Sequence, residues 1–235
     1  MTLVKDFLNY RVFTNQVESD VYIVTFDSWD PKHSHVVDGK YPDIPESTYI
    51  TRRNMNHIGV QTKRNDWYLR EGIDDVLKYI RSVVPSNGIL ITYGGSMGGT
   101  AAFFFAHKLG ANFFIVTSPQ ASIEVAIMRN FSDTPWRLES EAFGELSSHY
   151  FPSDQDKIPG VVFVDATHDI DIKHACLVAK SSNVSLVYTH GGWHNSAVVV
   201  NRAYGIGQFI KEISECLLLR SSVSAVIGKV KKAIE

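Results

Sequence analysis

Residues 88 to 102, Gly-Ile-Leu-Ile-Thr-Tyr-Gly-Gly-Ser-Met-Gly-Gly-Thr-Ala-Ala, constrain this chain more than any other stretch. Ile89 to Tyr93 form a short apolar run rich in β-branched residues, the pattern of a buried strand. Thr100 to Leu109 read as a buried helix. Only the glycine-rich turn Gly94-Gly95-Ser96-Met97-Gly98-Gly99 joins them. A strand that passes straight into a helix through so tight a turn brings the two backbones close together. Small residues two before and two after Ser96 then become a steric requirement.

Glycine-rich strand-to-helix turns also bind phosphates, and the sequence speaks against that here. A phosphate loop ends in Gly-Lys-Ser/Thr, whereas Gly99 runs directly into Thr100 with no lysine. The dinucleotide fingerprint needs glycines spaced G-x-G-x-x-G, and Ser96 occupies the third position of this turn. The pattern that does fit is Gly94-x-Ser96-x-Gly98, in which a serine is lifted above a sheet edge at a helix N-terminus. Free N–H groups there favour a developing negative charge. Met97 N–H is one candidate donor to an oxyanion.

On these residues the segment resembles the nucleophile elbow of the α/β-hydrolase superfamily, and the resemblance extends over most of the chain. More narrowly, Tyr93 to Ala102 together with Ser118-Pro119-Gln120 resembles hydrolase-like proteins found with bacterial surface-polysaccharide and glycoprotein export genes. The glycan acetyltransferase of the accessory secretion system is one of these. The resemblance implies an α/β fold, a three-layer sandwich on a mostly parallel sheet. It also implies a nucleophile, an acid and a histidine in that chain order.

At 235 residues, with 44% apolar and 20% charged residues, the chain reads as one domain spanning 1–235 with a sizeable core. A net charge of -2 gives no electrostatic case for nucleic acid or an anionic membrane. Cys176 and Cys216 form neither a disulfide framework nor a metal spacing and read as buried thiols. The early charges Lys5 and Asp6 do not suit a signal peptide, and no apolar run approaches transmembrane length. A cytoplasmic protein without a cofactor is the expectation, and a homo-oligomer is compatible with it.

In chain order, Tyr10 to Thr14 reads as a first edge strand and Val21 to Phe26 as a core strand. In the hydrolase layout the loop after that strand supplies a second oxyanion donor, which would be the backbone of Asp27 or Ser28. The usual glycine-rich version of this loop is missing. His33, His35 and Asp38 lack a completing ligand and sit among prolines, so they read as loop rather than metal site. Asp66, Trp67 and Tyr68 suit either a sugar-binding rim or packing beneath a helix over 71–83, with packing favoured. Phe113 to Thr117 is the next core strand, and residues 121–158 read as a lid insertion.

Gly160 to Asp165 forms another buried strand. The resemblance places the acid in the loop beyond it and so prefers Asp169 over Asp165. Asp171 is a third candidate, read as a first-turn acid of the following helix. Val184 to Thr189 is the last strand, and it runs into His190-Gly191-Gly192-Trp193-His194. His194 fits the general base better than His190. A helix over 196–219 and a last amphipathic segment from Ser221 to Ile234 follow, the latter expected to dock on the domain. Trp29, Gln120 and Trp193, in loops at the same sheet edge, are the candidate substrate contacts. The catalytic set expected is therefore Ser96, Asp169 and His194, with Met97 and Asp27 or Ser28 as oxyanion donors. The chemistry is acyl transfer from an ester, with acylated carbohydrate as one substrate class. Transfer to a glycan hydroxyl, or a catalytically silent subunit of a polysaccharide or secretion assembly, are the alternatives.

Overall fold

The computed structural model describes residues 2–28, 53–121, 157–181 and 183–235. Among them lies one eight-stranded sheet: β1 (Thr2–Asp6), β2 (Tyr10–Asn15), β3 (Val21–Phe26), β4 (Asn56–Thr62), β5 (Ile89–Gly95), β6 (Phe113–Thr117), β7 (Gly160–Asp165) and β8 (Val184–Thr189). Their spatial order is β1-β2-β4-β3-β5-β6-β7-β8. β1 and β2 pair antiparallel, as do β2 and β4, and every other pairing is parallel. Tyr10 to Asn15 is therefore not the edge: Thr2–Asp6 pairs outside it. The expected lid lies outside the described residues apart from its ends at Ala121, Lys157 and Ile158. Trp29, His33, His35 and Asp38 lie outside them as well.

Helices cover both faces. α1 (Ile73–Val83), α2 (Ser96–Leu109) and α3 (Asp169–Ser181) pack on one side. α4 (Ser196–Ala203), α5 (Ile206–Leu218) and α6 (Ser224–Ile234) pack on the other. Parallel strands buried from both sides are near-continuous apolar runs, and β6 and β7 are buried at every residue. The long helix read over 196–219 is two helices, because Gly205 turns at φ +85 between them. α6 docks through Val226, Ile227 and Val230, and Lys229 Nζ reaches Glu212 Oε2 at 2.9 Å. Both cysteines are half-buried rather than fully enclosed.

Helix α2 is apolar on all sides, and 11 of its 14 residues are buried, among them Phe103, Phe104 and Phe105. Such a helix is held by packing rather than by an amphipathic stripe. Ser96, its first residue, therefore stands on a platform with little freedom to move. Trp67 and Tyr68 are completely buried, which removes the sugar-rim reading. Tyr68 Oη donates to Asp27 O and Val60 O, and Trp67 Nε1 donates to Gln120 Oε1. These two aromatics brace the loops behind the sheet edge.

Two buried groups in this half of the sheet give acid titration opposite signs. Burial pushes the His57 imidazole down to about 4 from 6.5. Between those values the unfolded chain takes a proton that the folded chain refuses, so stability falls as pH falls, by roughly 3 kcal/mol across the window. Asp66 works the other way. Burial raises its carboxyl to about 6, against hydrogen bonds from Tyr68 N–H and the Thr62 hydroxyl and the Arg70 charge. The folded state takes that proton first, so stability rises as pH falls from 6 towards 3.8. His57→Gln should therefore raise the urea midpoint at pH 5 relative to pH 7, compared with the same difference in wild type. Equal pH dependence in the two proteins would refute the assignment.

Candidate active site

The sheet delivers its carboxyl ends to one edge, and the site residues collect there. β5 ends at Gly95, and Ser96 begins α2 with φ +51, a left-handed conformation strained for any residue with a side chain. The flanking glycines are steric necessities. A Cβ on Gly94 would collide with the backbone of Gly98, and one on Gly98 with the carbonyls of Phe26 and Asp27. Gly95 is similarly hemmed, with Thr117 Oγ1 at 2.8 Å and Ser28 Oγ at 3.5 Å from a Cβ there. The elbow is thus wedged between the ends of β3 and β6.

Ser96 Oγ lies 2.8 Å from His194 Nε2, across 98 residues of sequence. His194 Nδ1 in turn lies 2.8 Å from Asp171 Oδ1. The carboxylate beside the imidazole is therefore Asp171 and not Asp169. The cause is where α3 begins. The helix starts at Asp169, immediately beyond the β7 loop, and residues two apart on a helix point in nearly opposite directions. Asp171 is 1% exposed and faces the histidine loop, whereas Asp169 is turned to solvent. Asp171 also lies in the first turn of α3, where the helix dipole favours a carboxylate.

Asp165, the other candidate acid, holds the loop that carries the histidine. Its Oδ2 accepts from Gly192 N–H at 2.6 Å and Trp193 N–H at 2.9 Å, and its Oδ1 accepts from the backbone and hydroxyl of Thr167. Burial would raise this carboxyl, but those hydrogen bonds outweigh it and hold it down to about 2. Trp193, pinned this way, adopts φ +49 and leaves its side chain 71% exposed, one residue before His194. His190 is exposed at the strand end.

The oxyanion candidates separate. Met97 N–H belongs to the first turn of α2, where backbone donors have no helical acceptor. Asp27 N–H already donates to Val60 O at 3.2 Å, which removes it as a donor. Ser28 sits at the elbow, its hydroxyl donating to Gly95 O at 2.9 Å. Gln120 is fully buried, its Oε1 taken by Trp67 and its Nε2 without a partner among the described residues. Thr100 links it to the elbow, donating to Gln120 O and accepting from Gln120 N–H. One neighbour escaped the sequence reading. His168 Nδ1 lies 3.1 Å from Asp171 Oδ1, at a helical i, i+3 spacing that could have suggested it.

With this geometry in view, solved structures give the fold its name. A mouse protein, alpha/beta hydrolase domain-containing protein 10, superposes with a TM-score of 0.60 at 10% identity, over 94% of this chain and 99% of its own. The chain has the α/β-hydrolase fold. The capsule O-acetyltransferase of Neisseria meningitidis serogroup A is similar too, with a TM-score of 0.60, 13% identity and coverage of 86% of this chain and 91% of that one. Carboxyl esterase 2 from Tuber melanosporum covers 100% of this chain and 88% of its own, at a TM-score of 0.54 and 14% identity. No family model and no curated protein matches the sequence. Among the described residues no helix is long and apolar enough to cross a membrane.

Proposed function

We propose that the protein is a serine-dependent acyl-transfer enzyme acting on esters. The observation that carries this reading is the unbroken chain from Ser96 Oγ to His194 Nε2 and from His194 Nδ1 to Asp171 Oδ1, each link 2.8 Å. His194 takes the serine proton as Ser96 Oγ attacks the ester carbonyl. Asp171 holds the Nδ1–H tautomer and stabilises the imidazolium that forms. The tetrahedral oxyanion lies at the N-terminus of α2, with Met97 N–H and Ser28 N–H as its donors, each worth about 3 kcal/mol to the transition state. His194 then returns the proton to the leaving alcohol, and an acyl group remains on Ser96. Water as the second nucleophile completes hydrolysis.

A second acceptor, a sugar hydroxyl, is favoured by one observation. The largely exposed indole of Trp193, one residue before the general base, lies with its ring centre 6.5 Å from that of His168, and a flat aromatic face of that kind stacks on the C–H face of a pyranose. The same machinery then transfers the acyl group to a glycan. The esterase and O-acetyltransferase folds above are compatible with either outcome.

Intact-mass labelling with a fluorophosphonate tests the nucleophile. Wild type gains one adduct, while Ser96→Ala and His194→Ala gain none over the same period. Folded wild type that stays unlabelled overturns the enzyme reading in favour of a silent subunit. Acetylated sugars and short-chain esters, assayed with and without an oligosaccharide acceptor, then separate hydrolysis from transfer.

A further inference from the structure

Two histidines turn towards Asp171. His194 Nδ1 lies 2.8 Å and His168 Nδ1 3.1 Å from the same oxygen, Oδ1. All three donor atoms lie within 4.8 Å of one another. The second carboxylate oxygen, Oδ2, is buried and accepts no hydrogen bond from the described residues. The backbone N–H of Asp171 points at His168 Nδ1 from 3.3 Å, an approach that suits a lone pair on that nitrogen. The proposed triad requires only one proton here, on His194 Nδ1. The His168 Nδ1 lone pair is engaged only by that long contact, and it and the carboxylate lone pairs lie close to His194 Nδ1.

Imidazole nitrogens and a carboxylate in this arrangement form a donor set suited to zinc and its first-row neighbours. Asp171 is fixed by the first turn of α3, His168 by its place immediately before that helix, and His194 by the loop that Asp165 anchors. We propose that His168, Asp171 and His194 bind a divalent transition-metal ion, Zn2+ foremost, and that the ion switches the site off. The switching half rests on the triad reading above; the binding half does not. The ion takes the lone pair of His194 Nδ1. The proton held there moves through solvent to Nε2, so the imidazole stays neutral and no net proton is released. His194 then presents N–H to Ser96 Oγ in place of an acceptor, and the base is lost. The bonds that form run from the metal to His194 Nδ1, His168 Nδ1 and the Asp171 carboxylate; those that break are the hydrogen bond from His194 to Asp171 and the 3.3 Å one from Asp171 N–H to His168 Nδ1.

Titration calorimetry with ZnCl2 alone, on metal-stripped full-length protein, tests binding. One ion per chain is expected in wild type, with affinity reduced more than about tenfold in His168→Ala and in Asp171→Asn. His168→Gln serves as a second substitution at that position, and Co2+ absorption in the visible reports ligation independently of any activity. Zn2+ should also slow fluorophosphonate labelling of wild type more than tenfold, reversibly with EDTA. His168→Ala, compared with its own metal-free rate, should need more than ten times the Zn2+ for the same slowing. Absence of bound ion, or affinity unchanged in these variants, overturns the site. Binding without slower labelling overturns the switch. Binding that weakens as expected in a wild type that never labels upholds the site and locates the failure in the triad reading.

Discussion

Asp171→Asn lowers kcat on an activated ester by about four orders of magnitude, while Asp169→Asn leaves it within about twofold. The two carboxylates are two residues apart and share a helix, yet only Asp171 touches the imidazole. An asparagine there offers an N–H where His194 needs an acceptor. It favours the tautomer with its proton on Nε2, which cannot accept the proton of Ser96. The cost follows from that mismatch rather than from lost packing, so Asp171→Asn should keep the wild-type melting temperature to within a few degrees. Steady-state kinetics with p-nitrophenyl acetate, beside thermal melts of both variants, make the comparison. A large loss in Asp169→Asn with Asp171→Asn near wild type would mean that the carboxylates exchange places in solution.

Gly98→Ala is expected to destabilise the fold by about 3 kcal/mol, a fall of roughly 6–12 °C in melting temperature, and to abolish labelling of Ser96. The added methyl meets the carbonyls of Phe26 and Asp27, which are backbone and cannot rotate away. Relief requires α2 to part from the end of β3, and that movement separates Ser28 from the elbow. Gly110→Ala is the control. Gly110 caps α2 at φ +68 with nothing within 4 Å of an added Cβ, so only the conformational cost of about 1 kcal/mol applies. Equal losses in the two variants, read from differential scanning calorimetry, would show that crowding at the elbow is not what makes Gly98 necessary.

The elbow was legible because its requirement is local. Strand, glycines and serine are consecutive, and the atoms that forbid a side chain at Gly94 are the turn's own backbone, while those at Gly98 belong to the end of β3. Strands β3, β5, β6 and β7 were legible for a related reason, since parallel strands buried on both faces are continuous apolar runs. β1 was not. Leu3 and Val4 are about half exposed on an edge, and a strand of that kind carries no strong periodic signal. The break at Gly205 was hidden by apolar residues that continue in helical spacing on both sides of it.

The sequence by itself determined the fold class and brought Ser96 and His194 into view, because glycine patterning, apolar runs and chain order are properties of neighbours along the chain. Only the tertiary structure decided which carboxylate meets the histidine. Three aspartates lie within seven residues, and their division of labour depends on where α3 starts and on how the loop after β8 returns over it. Asp165 is drawn to the backbone of Gly192 and Trp193, Asp169 is turned to water, and Asp171 is turned inward. The same holds for Asp27, whose N–H is claimed by Val60 on the neighbouring strand. Such choices are made by partners far apart in sequence, and spacing along the chain carries no record of them.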